Sequence, residues 1–581
     1  MPSDPELDQK IDANNRLMHY ARSLTSQAGE DGVLAHILKC IGVDQGWCVE
    51  FGAWDGKFHS NTWDLVHNKG WKAVYIEPDP HAFPQLLKNC EGLKDVFCFN
   101  ELVGSEGENT LDRIFARTPI PHDFDLMVVD IDGDDFYVWR ECQKYRPKVV
   151  MIEFNPFIPS EVYYVKTLKK NIKASASLLA VYDLAKAKDY EMICVVGGNA
   201  IFVRKEYFSL FAISDNHPVS MNRSIGVTKI FQGYDGTLFL AGNRHLIWRY
   251  QTDRSGRLLN LEIDDLDIQV LPKSLRVFRP RLSFRNPFLE EHAGRIDRPR
   301  VPSNRLLAFQ HNVTSENGED GILQHIFEKI GAENGFCVEV GAYDGKVFSN
   351  TWNLIHNKGW EAILIEKDET AFSALKKQHV HSAHVQFVQC EVTTRDETNL
   401  DSLLTLRAVR TDFEFLCIDV EGNDYNLWGS LKTFRPKVVM VDFNPTVPND
   451  VIFVQEDDLQ VNHGASLRAF IELGKVKDYE LAAVTTWNAI FVRSDLFPSL
   501  ELSDNSIERM YYPVFEMKIF QSIDCYLSTT GCDRLVRHNY VFDPEQLQPV
   551  PQNIRILPFM TETLGEVKST FFGDHEEPPS R

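Results

Sequence analysis

A chain of 581 residues with 43% hydrophobic and 11% aromatic side chains can bury a sizeable core, and length alone would allow about three or four domains. Its formal net charge of −22 argues against a nucleic-acid backbone or an anionic membrane surface as the main partner. Eleven cysteines, an odd number with no CxxC pair, argue against a disulfide framework and a structural zinc site.

Residues 1–15 are polar and acidic. They are expected to be disordered, and they lack the apolar core of a secretory signal. No apolar run approaches the ~20 residues of a membrane span, so the expectation is a soluble, cytoplasmic protein. From Glu30 to Ile41 apolar residues recur at helical spacing up to Gly42, which predicts an amphipathic helix. Trp47–Phe51 reads as a short strand, and a glycine-containing turn leads to a helix over Asn61–His67. Ala73–Glu77 is a second strand, followed by Asp79-Pro80 and a helix through Leu86-Leu87. Val96–Phe99, Leu126–Ile131 and Val149–Phe154 read as the next three strands, with a helix starting over Thr110–Phe115. A helix over Ser175–Lys188 precedes a hairpin of Met192–Val196 and Ala200–Val203. Apolar strands alternating with helices predict an α/β fold, a mostly parallel sheet covered by helices on both faces.

The same course returns 289 residues later: Glu50 matches Glu339, Asp130 matches Asp419, Asn199 matches Asn488 and Lys229 matches Lys518. The register holds from Gly29-Glu30-Asp31-Gly32 to Ile230-Phe231-Gln232 and is lost before Pro272, which matches Pro551. A repeat this long is two whole domains in tandem, not a solenoid turn. The expected division is domain 1 over 16–280, a Pro/Arg-rich linker over 281–304, domain 2 over 305–562 and a disordered tail over 563–581. Two such domains could pack as an intrachain pseudo-dimer.

Within each copy, CVEFGAWDGKFHSNTW (Cys48–Trp63) and CVEVGAYDGKVFSNTW (Cys337–Trp352) have the strand, turn and helix start of a cofactor cradle. Gly52, Gly56, Gly341 and Gly345 let the backbone turn tightly and come close to a ligand. One such turn by itself is as often only a tight connection. Glu77 and Glu366 end the second strand about 20 residues after the turn, where a carboxylate can accept from both hydroxyls of a ribose. Asp79 and Asp368, just beyond, read as caps of the next helix.

The fourth strand ends in Asp130-Ile131-Asp132-Gly133-Asp134-Asp135, and its copy in Asp419-Val420-Glu421-Gly422-Asn423-Asp424. The fifth ends in Glu153-Phe154-Asn155-Pro156, and its copy in Asp442-Phe443-Asn444-Pro445. Alternation sets Asp130 with Asp132, Asp419 with Glu421, Glu153 with Asn155 and Asp442 with Asn444 on common sides. They lie at the carboxyl ends of strands, where open α/β sheets bind ligands. Acids this dense must be solvated, paired or bound to a cation. Three roles compete: a general base toward a substrate hydroxyl or amine, a Mg²⁺ site of oxygen ligands, and helix capping with substrate binding. No His or ligand spacing specifies a metal, so the Mg²⁺ role weighs least and no metal ligand is assigned. Leu168–Lys173 (LKKNIK) and Leu459–Gly464 (LQVNHG) differ in charge where substrate-shaping insertions often sit. That is a solvated-face difference by default, or else the two copies accept different substrates. The paired tryptophans Trp63 and Trp352, Trp71 and Trp360, and Trp139 and Trp428 read as core.

The order GEDG, VEFGAWDG, SNTW, GWKAVYIEPD, TLDRIF, DIDGDDFYVW, RPKVVMIEFNP and NAIFVR, with its second copy, resembles the FkbM-like family of S-adenosylmethionine-dependent methyltransferases. The resemblance covers about Gly29–Arg204 and Gly318–Arg493. It implies two tandem Rossmann-like methyltransferase domains with S-adenosylmethionine as cofactor. It further implies that Glu50 and Glu339 face the ammonium of the methionine end and that Glu101 and Glu391 lie near the adenine edge. The chain departs from the usual loop at Trp54-Asp55 and Tyr343-Asp344, where a second small residue is normal. The expected activity is O-methylation of a saccharide or small metabolite, with two cofactor-binding domains. The competing expectation is a non-catalytic binding or scaffold protein on a duplicated methyltransferase fold.

Overall fold

The computed structural model describes residues 11–549 apart from 132, 167–174, 224–226, 253–257, 277–304, 333, 523–524 and 539. Asp132, Leu168–Lys173, the expected linker over 281–304 and the expected tail over 563–581 therefore lie outside the described residues, as do residues 1–10.

The strands of the first half are β1 (Trp47–Phe51), β2 (Lys72–Ile76), β3 (Val96–Phe99), β4 (Leu126–Val129), β5 (Val149–Glu153), β6 (Tyr190–Val196) and β7 (Asn199–Arg204). Two more, β8 (Thr228–Gln232) and β9 (Leu238–Gly242), precede a two-stranded ribbon of β10 (His245–Thr252) and β11 (Leu258–Glu262). The second half has β12 (Phe336–Val340), β13 (Glu361–Glu366), β14 (Val385–Gln389), β15 (Phe415–Ile418), β16 (Val438–Asp442), β17 (Tyr479–Val484) and β18 (Asn488–Arg493), then β19 (Met517–Gln521) and β20 (Leu527–Gly531).

Alternate residues of β1 feed two different cores. Val49 and Phe51 join Phe115 and Trp139 on one face, while Cys48 joins Ile37, Leu65 and Trp71 on the other. A strand apolar on both faces is stable only inside a sheet covered on both sides. The result is a seven-stranded sheet of order β3-β2-β1-β4-β5-β7-β6, repeated as β14-β13-β12-β15-β16-β18-β17. Strands β1 to β5 run parallel, and β7 is antiparallel to both β5 and β6. Each half is thus a Rossmann-like sheet with a terminal antiparallel hairpin.

Some boundaries move from expectation for local reasons. The Ser175–Lys188 helix runs over Leu178–Ala187, because Ser177 is its N-cap and accepts from the Ala180 amide. The helix expected over Asn61–His67 is a π-helical turn at Asp64–Asn68, and its copy is an α-helix at Trp352–Lys358. Residues 60–62 hold Glu50 instead of starting the helix. Trp63 and Trp352 are half-buried and stack on His67 and His356 at 3.3 and 4.4 Å, so they are not core. Trp71, Trp360, Trp139 and Trp428 are buried.

The segments after each sheet meet. β20, β19, β8 and β9 form one four-stranded sheet, and its central pair comes from the two halves. There Lys518 lies opposite Lys229, Met517 opposite Ile230 and Ile519 opposite Thr228. Since Lys518 is the repeat of Lys229, a local two-fold axis passes between these lysines. The contacts around it come in matched pairs. Asn155 Nδ2 donates to the Gln521 carbonyl at 2.6 Å and Asn444 Nδ2 to the Gln232 carbonyl at 2.5 Å. Lys229 pairs with Asp450 at 2.7 Å and Lys518 with Glu161 at 2.6 Å. Among the described residues no helix is long and apolar enough to cross a membrane. The eleven cysteines are free.

Candidate functional site

The first turn of each half is pinned from two sides. Gly52 and Ala53 donate to the Ile76 carbonyl at 3.1 and 3.3 Å, and Gly341 and Ala342 donate to that of Ile365 at 3.0 Å. Gly52 has φ +75° and Gly341 φ +86°, and a Cβ on either would overlap the carbonyl oxygen of Asp130 or Asp419. Only glycine allows this approach of the turn to the end of the fourth strand. Gly56 and Gly345 pack their turns onto Leu86 and Leu375 of the helix that follows the second strand.

Glu50 and Glu339 end up in a socket. Glu339 accepts from the Ser349 hydroxyl at 3.0 Å, the Asn350 amide at 3.1 Å and the Thr351 hydroxyl at 2.6 Å. Ser60, Asn61 and Thr62 hold Glu50 in the same way at 2.7, 2.8 and 2.6 Å. The SNTW motif is therefore the carboxylate's holder. Burial pushes the Glu339 carboxyl up to about 7, against the pull of its three donors, and raises Glu50 likewise.

The second-strand acids are oriented by backbone. Glu77 accepts from the Trp54 and Asp79 amides, both at 2.7 Å, one on each oxygen. Glu366 accepts from Tyr343 at 2.8 Å and Asp368 at 2.7 Å. Each carboxylate thus joins the first turn to the second strand and keeps a lone pair on each oxygen. Asp368 does cap, accepting from Ala371 at 2.8 Å, whereas Asp79 holds the His81 and Ala82 amides of the turn before its helix, whose N-cap is Ala82. Glu101 is clasped by Arg117 at 2.7 Å through both oxygens, which holds its carboxyl below the usual range, and Glu391 pairs with Lys367 at 2.8 Å.

The acidic rim divides by burial. Asp135 and Asp424, which sequence reading gave no role, are the buried members. Asp424 accepts from the Val420 and Gly422 amides at 3.1 and 3.0 Å, as Asp135 does from Ile131 and Gly133 at 2.8 and 2.9 Å. These two acids shape the loop. Burial, then the nearby charge of Asp419, pushes the Asp424 carboxyl up to about 7. Glu421, at φ +56°, pairs with Arg537 at 3.0 Å. The loop-binding Asp31 and Asp320 were also missed; Asp31 accepts from Leu24, Thr25 and Ser26 at 2.7–2.9 Å. Their only signal was the intact repeat of GEDG.

The fifth-strand residues go elsewhere, which corrects their expected place on the rim. Asn155 and Asn444 are buried and donate to the opposite half, Asn444 sharing its amide with the His463 carbonyl of its own half at 2.7 Å. Asp442 accepts from the Tyr234 hydroxyl at 3.0 Å, and Glu153 accepts from Ser175 at 3.2 Å. No group of three or more His, Cys, Asp or Glu suited to a metal ion occurs among the described residues. Of the strand-end acids, Glu421 is engaged with Arg537 and Asp442 with Tyr234, while the loop amides are taken by Asp135 and Asp424.

In the second half the turn, the strand ends and the loop enclose a cavity of about 570 Å³. Glu339, Gly341, Glu366, Glu391, Asp419 and Glu421 all line it, whereas Asp442, Asn444 and Gly345 do not. Tyr343, Val347 and Phe348, all exposed by more than 40%, form an apolar mouth, and Leu459–Asn462 close one side. The latter is the stretch whose charge differs between the copies.

No family model and no curated protein matches the chain. Among solved structures it is similar to the citrinin polyketide synthase CMeT domain, with 12% identity and a TM-score of 0.23 over 30% of this chain and 51% of that one. It thus spans about half of that structure. It is similar to the N-terminal domain of EvdMO1 in the presence of SAH and D-fucose, with 10% identity and a TM-score of 0.24 over 37% of this chain and 99% of that one. A SAM-dependent methyltransferase from Aquifex aeolicus gives 9% identity and a TM-score of 0.20 over 36% and 97%. Overlaps of this size bear no weight on chemistry, which rests on the residues themselves.

Proposed function

We propose that the protein is an S-adenosylmethionine-dependent methyltransferase of the FkbM-like kind. In this reading each half holds a cofactor site, the halves form an intrachain pseudo-dimer, and the acceptor is a hydroxyl of a saccharide or other small metabolite. The free cysteines suit the reducing cytoplasm. One observation carries the reading: Glu366, with both oxygens pre-oriented by amides, faces the same cavity as Gly341 and Glu339 at the carboxyl ends of β12 and β13. A volume of about 570 Å³ is in the range of small-molecule sites.

Glu366 would accept from the ribose hydroxyls with its remaining lone pairs. Glu339 would face the methionine ammonium, and Glu391 would lie toward the adenine. The bound cofactor supplies an electrophilic methyl group on a sulfonium. The chain's own task is then to align the acceptor oxygen in line with that methyl and to exclude water. Asp419, whose backbone touches Gly341, is the base this reading requires for the proton of the acceptor hydroxyl.

Calorimetric titration of the full chain with S-adenosylmethionine tests the reading. Saturable binding is expected, and Glu366→Ala should weaken it about tenfold or more, the cost of losing charge-assisted hydrogen bonds. A chain with Glu77 and Glu366 intact that takes up no S-adenosylmethionine or S-adenosylhomocysteine would sink the assignment.

A further inference from the structure

The loop Gly233–Gly236 belongs to the first half and follows β8, yet its contacts reach the wall of the second half's cavity. The Asp235 amide donates to the Asn462 carbonyl at 3.2 Å, and its carboxylate lies 3.4 Å from His463 Nε2. Burial would raise the Asp235 carboxyl, but His463 and Thr237 together hold it below its usual range. The Tyr234 hydroxyl donates to Asp442, and its ring stacks 3.8 Å from the Arg537 guanidinium. Arg537 in turn pairs with Glu421 at 3.0 Å. Asn462 and Glu421 both line the cavity.

The fit is tight. A Cβ on Gly233 would come within 2.6 Å of the His463 ring, and one on Gly464 within 3.0 Å of the Tyr234 ring. Glu421 needs such support, because a non-glycine residue at φ +56° relaxes unless its surroundings hold it. In sequence the brace is repeated only in part: 289 residues away Asp235 has Asp524 as its match, but Tyr234 is replaced by Ile523, and Arg537 stands where the first half has Trp248.

We propose that the second cavity is a composite site, its wall of residues 459–462 and Glu421 held in place by Tyr234 and Asp235 of the first half. Tyr234 and Asp235 are positioning residues, acting through Arg537 and His463. The inference deepens the methyltransferase reading and rests on it for the identity of the ligand. It also gives a reason for the two halves to share one chain: the first half supplies part of the second half's site.

The test uses the full chain with Tyr234→Leu, or with the shape-preserving Asp235→Asn. Each is made in two backgrounds, Glu77→Ala to leave the second site and Glu366→Ala to leave the first. S-adenosylhomocysteine is the probe, read by calorimetry. Tyr234→Leu should weaken the second site about five- to tenfold and leave the first within about twofold, with Asp235→Asn weaker in the same direction. Equal losses at both sites, or none, would overturn the composite site. Amide hydrogen exchange without ligand gives an independent reading. The amides of residues 461–464 and 421 should exchange about tenfold faster in Tyr234→Leu while those of residues 52–56 stay unchanged. Unchanged exchange in the wall refutes the brace. Faster exchange in a chain that binds no S-adenosylhomocysteine supports the brace and refutes the cofactor reading instead.

Discussion

Glu339 sits in a socket of two hydroxyls and one amide, with only 3% of its surface exposed, and its proton should register in the stability of the whole chain. Its folded pKa of about 7 stands above the ordinary 4.5, and that of Asp424 is also about 7 against an ordinary 3.8. A carboxyl whose folded pKa is raised binds its proton more tightly when folded. The resulting stability is fully present below the unfolded pKa and is lost as pH rises through the folded one. Urea-unfolding midpoints should therefore include a term that falls between about pH 4 and about pH 7, worth several kcal/mol for the two groups together. Glu339→Gln with Asp424→Asn should flatten that slope, and an unchanged slope would show that the term arises elsewhere. The glutamate itself was legible in the sequence from its place at the end of an apolar strand. Its socket was not, because Ser349, Asn350 and Thr351 read equally well as the start of a helix. Likewise, nothing in the run Asp419 to Asp424 marks Asp424 as the acid that burial would claim.

At the level of elements, the strand–turn unit from β12 through Gly345 sets the geometry of the cavity. Gly341→Ala would add a Cβ into the Asp419 carbonyl and force an alanine to φ +86°. The strained backbone alone costs about 1–3 kcal/mol. The variant should unfold at a lower urea concentration and, because the turn must retreat from β15, bind S-adenosylhomocysteine less tightly. A variant equal to the wild type in both would mean that the turn is softer than its contacts indicate. The strands and their order were largely readable, since runs such as VVMIEF and VVMVDF suit only a doubly covered sheet. Their ends were less so: β4 and β15 stop at Val129 and Ile418, one bond short of the acids that follow.

Over the whole molecule, the 289-residue register announced two similar sheets, but it could not say where their trailing strands pair. An edge strand carries hydrogen-bonding groups for any partner, and only the tertiary arrangement selects β19 for β8. The same limit hid the role of Asn155 and Asn444, which look like rim residues until the opposite half supplies Gln521 and Gln232. Replacing either asparagine with alanine removes a buried donor from a carbonyl in the other half, at a cost of about 1–3 kcal/mol each. Both single variants should lower the unfolding free energy by that order. If both were neutral, the contact between halves would rest on the paired strands alone.

The meeting of Lys229 with Lys518 has one more consequence. Like charges directly opposite each other in a sheet repel. Two identical chains joined at this axis would have to answer that repulsion with groups supplied in equal numbers from both sides. A fused chain is free of that rule. Glu516 has Val227 as its repeat, and this one carboxylate reaches Lys229 at 3.2 Å and Lys518 at 3.3 Å. Covalent linkage lets a lone charge occupy the centre of an otherwise mirrored contact, an arrangement that would favour the joined molecule over any pairing of separate, identical halves.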